Sequence, residues 1–261
     1  FINVPGIYTQ PQIEGWKTVT KAVHDKNGKI FAQLWHTGAY SHPDLHNGKL
    51  PLAPSNVNPN QQAFTSEGFK PTVAPQPMTI EDIKRTVQDF KNGAINAFEA
   101  GFDGVELHGA NGYLLQQFFS KNSNDRTDEY GGNPENRARI LFEILDTIQE
   151  VADIRKVGIR LNPSLNGIMG IAVDDETIAT YDYIVNRLND YDLAYIHLIE
   201  PSQTLPTTKM RFRRSQNISE KSTTEPLSST VLSTKKRRPE FWKAEMQIWC
   251  HLEFRLSLIQ I

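Results

Sequence analysis

Gly101-Phe-Asp-Gly-Val-Glu-Leu-His-Gly-Ala-Asn-Gly-Tyr-Leu-Leu-Gln-Gln-Phe-Phe119 decides the fold. A short apolar run, Val105 to Leu107, ends in polar residues separated by Gly109 and Gly112, and an apolar helical pattern begins at Leu114. That order predicts a buried strand, a loop at its C-terminal end and then a helix. In a parallel α/β barrel, chemistry is placed at that end of the strands. The two glycines permit tight turns and close approach of backbone to a ligand.

Three polar tools fall within six residues here. His108 and Asn111 can each donate a hydrogen bond to one oxygen, and Tyr113 is a neutral acid with an ordinary pKa of about 10. Two donors on a carbonyl stabilise negative charge developing on its oxygen, and one such donor can be worth roughly 3 kcal/mol of barrier. A phenol nearby can give a proton to a carbon that has accepted hydride. The same residues also fit a strand-end histidine bonded to backbone, a turn asparagine and a half-buried tyrosine.

Outward from this stretch, the pattern alternates helices and strands. Residues 10–26 read as a helix with Ile13, Trp16, Val19 and Val23 on one face, stopped by Asn27-Gly28. Lys29 to Trp35 reads as a strand with Gln33, Trp35 and His36 toward its end. From Thr37 to Pro77 periodicity is weak and Pro, Asn and Ser are frequent; a loop this long in a compact domain is usually functional. Thr79 and Asp82 form a capping box for a helix buried through Ile83, Val87, Phe90, Ala94 and Ala97. Asn124 to Arg137 reads as a charged loop held by structural salt bridges. A helix at Ile140–Val151, a strand at Val157–Leu161, a helix at Thr177–Leu188 and a strand at Leu193–Leu198 follow. Arg160 on its strand is costly to point into a barrel unless an anionic group or a neighbouring carboxylate meets it. The βαβα order predicts an α/β fold with a parallel barrel sheet.

The 261 residues carry a net charge of −2, and this hides a break. Residues 1–205 hold 17 Lys and Arg against 25 Asp and Glu, whereas residues 206–261 hold 11 against 5. The balance therefore changes from −8 to +6, and all 16 glycines lie before the break. Two regions are expected, a barrel over 1–205 and an atypical basic tail over 206–261 that is poorly ordered. The single cysteine, Cys250, excludes a disulfide framework. No signal peptide and no apolar run long enough to span a bilayer is evident, which makes a cytoplasmic protein the expectation.

The body resembles the Old Yellow Enzyme family of flavin-dependent ene-reductases, which includes the 12-oxophytodienoate reductases and bacterial alkene reductases. The resemblance rests on Phe31-Ala-Gln-Leu-Trp-His-Thr-Gly and Ser41-His-Pro, on Gly101–Phe119, and on Asn124-Asp-Arg-Thr-Asp-Glu-Tyr-Gly-Gly-Asn-Pro-Glu-Asn-Arg137. Val157-Gly-Ile-Arg-Leu-Asn-Pro and Leu193-Ala-Tyr-Ile-His-Leu-Ile-Glu-Pro201 complete it. It implies a partial TIM (β/α)8 barrel with about strands 3–6 of 8 present, the first two lying upstream of Phe1. It also implies FMN as cofactor, NAD(P)H as reductant and a small-molecule enone as substrate, with no nucleic-acid or membrane partner. His108 and Asn111 would hold the substrate carbonyl and Tyr113 would protonate the α-carbon. Gln33 would bond the flavin's pyrimidine edge and Arg160 its N1–C2=O region; no metal is implied. Gly38-Ala39 departs from the Gly-Arg often found there and leaves the rim chemistry open.

The tail also reads as a shifted frame. Taking the third base of each codon with the first two of the next, Phe241–Trp242 must give Leu and Trp242–Lys243 must give Glu. Likewise Met246–Gln247 must give Ala and Trp249–Cys250 must give Val. All four agree with the family's eighth-strand region, so the loss of its last two strands and of its FMN phosphate site, with two open sheet edges, is the expectation. Two competing readings stand beside this one. His36, His108 and His197 at strand ends could hold zinc for a hydrolase. The basic run Lys235-Lys-Arg-Arg-Pro239 could bind nucleic acid.

Overall fold

The computed structural model describes residues 2–199 together with the backbone of two short later strands, Ser229–Leu232 and Ile259–Gln260. Helix α1 (Gln10–His24) leads into strand β1 (Phe31–Trp35). The 37–77 excursion contains a single 3-10 turn at Pro43–Leu45 and four short strands: β2 (Leu52–Ala53), β3 (Gln62–Thr65), β4 (Gly68–Pro71) and β5 (Gln76–Pro77). Then come α2 (Ile80–Glu99), β6 (Gly104–Gly109), α3 (Leu114–Phe119), α4 (Pro134–Gln149), β7 (Val157–Leu161), α5 (Thr177–Leu188) and β8 (Tyr195–Ile199). The later pair is β9 (Ser229–Leu232) and β10 (Ile259–Gln260).

β1, β6, β7 and β8 pair in that order, each parallel to the next. This is the sheet of a partial (β/α)8 barrel, as expected. Strand alternation sorts the side chains. Ala32, Leu34, Val105, Leu107, Val157, Ile159 and Ile196 face the helices and join the apolar core. Gln33, Glu106, His108, Arg160 and His197 occupy alternating positions of the opposite face. Two glycines shape that face. A Cβ at Gly104 would run into the Phe31 ring, and one at Gly158 into the Tyr195 ring. The two rings lie 5.7 Å apart between centroids.

The α2 cap is as predicted: Thr79 Oγ1 accepts from the Asp82 N–H at 3.1 Å, and the Thr79 N–H donates to Asp82 at 2.9 Å. Three expectations need correction. Helix α4 starts at Pro134 rather than Ile140, because Asn133 accepts from the Asn136 N–H at 2.9 Å and Pro134 suits the first helical turn. Arg137 therefore lies in the helix, fully buried, and pairs with Glu176 at the N-cap of α5 at 2.7 Å and with Thr180 on α5 at 2.8 Å. The 37–77 segment is not merely loop, since β3 and β4 form an antiparallel hairpin and β2 pairs with β5.

The four-strand sheet is extended by one strand at each edge, so its two edges lie further out than expected. β10 pairs parallel with β1, and β9 pairs antiparallel with β8, which interrupts the all-parallel order. The boundary at 205, the basic run 235–239, Cys250 and the phosphate-site loss otherwise fall outside the described residues. Among the described residues no helix is long and apolar enough to cross a membrane.

Candidate active site

The strand end at β6 is built by one tight turn. Asn111 and Gly112 both take positive φ, 57° and 72°, and the Tyr113 N–H closes the turn on the Ala110 carbonyl at 3.2 Å. Asn-Gly is the favoured pair for two successive left-handed residues. A side chain at Gly112 would also strike Met169, so this glycine meets both requirements. The turn holds Asn111 partly exposed and places Tyr113 at the N-cap of α3.

His108 is 2% exposed. Its Nδ1 accepts from the Ala110 N–H at 3.3 Å, so in the neutral ring the proton sits on Nε2. Burial drives its pKa down to about 3, and the Arg160 charge pushes the same way. The ring is therefore neutral at physiological pH, with a buried Nε2–H that meets no partner among the described residues. Half of the bland alternative thus holds, at Nδ1. The other nitrogen is an unspent donor.

The Tyr113 ring packs edge-on to Trp35 at 4.5 Å, His108 at 5.0 Å and Tyr40 at 6.1 Å. Burial raises its pKa above the ordinary value, the neighbouring Tyr40 adds to this, and Arg160 opposes it. Tyr113 accordingly keeps its proton. On β7, Arg160 lies in register with His108 on one side and His197 on the other. It makes no salt bridge among the described residues, and its Nε is buried without a partner there. Its charge nonetheless acts on the Glu106 carboxylate of the neighbouring strand, so the neighbouring-carboxylate alternative holds in part.

Gln33 lies in register with Glu106 and donates its Nε2–H to that carboxylate at 2.5 Å, which leaves the amide oxygen as its open end. Glu106 is the functional-face residue the sequence reading missed. It is 4% exposed, and its other oxygen lies 3.1 Å from His197 Nδ1. Burial pushes the Glu106 carboxyl up. Hydrogen bonds from His197 and Gln33 and the charge of Arg160 outweigh that and hold it below its ordinary value. The signal was its partner across the sheet: Gly158, in register with Glu106, puts no side chain between it and β8.

The zinc alternative finds no ligand cluster among the described residues. His36 Nδ1 accepts from the Gly38 N–H at 3.0 Å and His197 is engaged by Glu106. Among the described residues no group of three or more His, Cys, Asp or Glu is arranged to hold a metal.

The two neutral histidines, His108 buried and His36 partly so, carry a pH consequence. His36 is pushed to about 4 by burial and His108 to about 3, so the unfolded chain, near 6.5, binds more protons than the folded one below that pH. Their contribution is complete above pH 6.5 and is lost as pH falls toward 4. Urea midpoints measured at pH 7.5 and 5 should show this fall, at up to about 1.4 kcal/mol per pH unit for each histidine. The slope should flatten in His108→Asn; an unchanged slope would show that His108 does not contribute.

The profile of the NADH:flavin oxidoreductase / NADH oxidase family matches residues 1–237. A flavin oxidoreductase of Emericella nidulans is 43% identical over 203 residues, covering 76% of this chain and 52% of that protein. 12-Oxophytodienoate reductase 1 of Oryza sativa subsp. japonica is 40% identical over 207 residues, 78% of this chain and 52% of its own. Among solved structures, morphinone reductase in complex with tetrahydroNAD superposes with a TM-score of 0.72 at 41% identity, over 77% of this chain and 57% of that one. An old yellow enzyme homologue from Zymomonas mobilis gives 0.70 at 36%, over 74% and 53%. The chain spans about half the length of the curated relatives it matches. By its profile match, its relatives and its barrel sheet, the chain belongs to the NADH:flavin oxidoreductase family of Old Yellow Enzymes.

Proposed function

We propose that this chain derives its chemistry from an FMN-dependent, NAD(P)H-driven reduction of the C=C bond of small α,β-unsaturated carbonyl compounds. The observation behind this is the neutral His108 whose buried Nε2–H has no partner among the described residues. A dry donor of that kind suits an oxygen on which negative charge develops.

The residues present fit the flavin. Gln33 offers an acceptor oxygen once its amide nitrogen is spent on Glu106, and Arg160 offers donors and a positive charge. Together they match the imide edge of an isoalloxazine, whose N3–H donates and whose C2=O and N1 accept. When bound, reduced FMN supplies the hydride to the β-carbon. The chain does the rest. His108 and Asn111 hold the carbonyl oxygen, the aromatic wall of Trp35 and Tyr40 excludes water, and Tyr113 gives its proton to the α-carbon. A cytoplasmic setting fits the nicotinamide requirement. No nucleic acid enters this reading, and the oligomeric state is left open.

The test is anaerobic oxidation of NAD(P)H by cyclohexenone with FMN supplied, and product analysis for the saturated ketone. Phenols mimic the enolate oxygen, so they serve as binding probes. His108→Ala should weaken a para-substituted phenol by about 10-fold or more, the worth of one or two kcal/mol. Equal phenol affinity in parent and variant would remove His108 from the oxygen site.

A further inference from the structure

We propose that Gln116 and Gln117, neighbours on α3, are positioning residues that fix the Asn111–Tyr113 turn against the two flanking strand ends. The proposal rests on the functional reading above but concerns groups that touch neither substrate nor cofactor. Both side chains are buried, at 1% and 3% exposure. Gln116 Oε1 accepts from the Gly112 N–H at 2.9 Å, while Gln117 Nε2 donates to the Gly112 carbonyl at 2.6 Å. Each of the two peptide groups linking Asn111 to Tyr113 is thus gripped by one glutamine.

Their remaining bonds run in opposite directions, because consecutive residues on a helix point about 100° apart. Gln116 Nε2 donates to the Asn162 carbonyl at 2.7 Å, just beyond the end of β7. Gln117 Nε2 also donates to the Thr37 carbonyl at 3.1 Å, and its Oε1 accepts from the Ala39 N–H at 2.9 Å, both just beyond β1. Any side chain at Gly38, itself at φ 60°, would collide with the Gln117 amide. The turn is therefore tied to the strand bearing Gln33 on one side and the strand bearing Arg160 on the other. Generic core amides would satisfy these groups too, but they would not span three strand ends through the one turn that presents the donor and the acid.

A shift of about 1 Å at reacting groups can cost about 100-fold in rate, so loosening this turn should show in chemistry before it shows in folding. The experiment compares Gln116→Met and Gln117→Met with Phe118→Leu, a core change on the same helix, in the full chain. Amide hydrogen exchange is the primary readout and needs no cofactor. Both methionine variants should speed exchange at Gly112 and Tyr113 by about tenfold or more, with β6 unchanged, whereas Phe118→Leu should not. Enone turnover should fall in the methionine variants while oxidation of NAD(P)H by flavin without enone stays near parent. Gln117→Glu keeps the acceptor for Ala39 and alters the donor, and it replaces Gln117→Met if that variant does not fold. Exchange that rises evenly across the domain overturns the proposal. So does localised exchange with unaltered enone turnover. A parent without enone activity sinks the ene-reductase reading alone, since the exchange comparison still decides the clamp.

Discussion

In a frame-repaired, full-length version, replacing Tyr113 by phenylalanine is expected to leave flavin reduction by NAD(P)H intact and to slow enone turnover by about 100-fold or more, the usual worth of a positioned general acid. The substitution removes only the hydroxyl. The ring contacts with Trp35, His108 and Tyr40 are made by carbon edges and faces, so the packing of the pocket survives. On the proposed reading His108 and Asn111 would still hold the carbonyl, and hydride could still arrive. What is lost is a proton source that burial keeps protonated through the whole working pH range. Rapid-mixing measurements that separate reduction by NAD(P)H from reoxidation by enone provide the check. If the phenylalanine variant reoxidised with enone at the parent rate, water or another group must deliver the proton, and Tyr113 would be only an aromatic wall.

Much of this site was open to reading because local rules govern it. Val105 and Leu107 alternate onto the core face of a central strand, and Asn111-Gly112 is a turn signal that stands without tertiary help. The Thr79–Asp82 cap and the α2 stripe follow from spacing alone. The misses share another cause: they depend on register between distant segments. Glu106 looks like an ordinary polar residue in a strand until Gly158 is set beside it and His197 beyond. Arg137 looks like a loop charge until Glu176 and Thr180, some forty residues on, meet it from α5 and its N-cap. The β3–β4 hairpin was hidden for a smaller reason. Its alternation spans only Gln62 to Thr65, and Phe64 and Phe69 both remain partly or largely exposed. Gln33 and Arg160 could be placed on strands by pattern, but their roles came from family resemblance. The geometry now adds the open amide oxygen and the unpaired guanidinium nitrogen that such roles require.

Moving the reading frame by one base near codons 203–208 is expected to raise FMN affinity by about 100-fold or more, comparing two chains that both begin at Phe1. The motive is the composition break: a net charge of −8 before residue 206 and +6 after it, with no glycine in the later part. Four codon pairs that allow no choice give Leu, Glu, Ala and Val in the other frame, all matching the family's eighth-strand region. The Emericella and rice relatives align over 203 and 207 residues, near the length of the part before the break, although the family profile extends to residue 237. In these barrels the loops after strands seven and eight commonly cradle a cofactor phosphate. Two charge-assisted hydrogen bonds restored there are worth at least about 3 kcal/mol, which sets the 100-fold figure. The sheet supplies a second reason. β9 pairs antiparallel with β8, whereas a seventh barrel strand must run parallel to it, so the restored frame exchanges one pairing for the other. FMN titration of both chains by fluorescence quenching decides the matter. Flavin co-purifying one-to-one with the chain as written would show that its present C-terminal part already completes the phosphate site, and the frame account would fall.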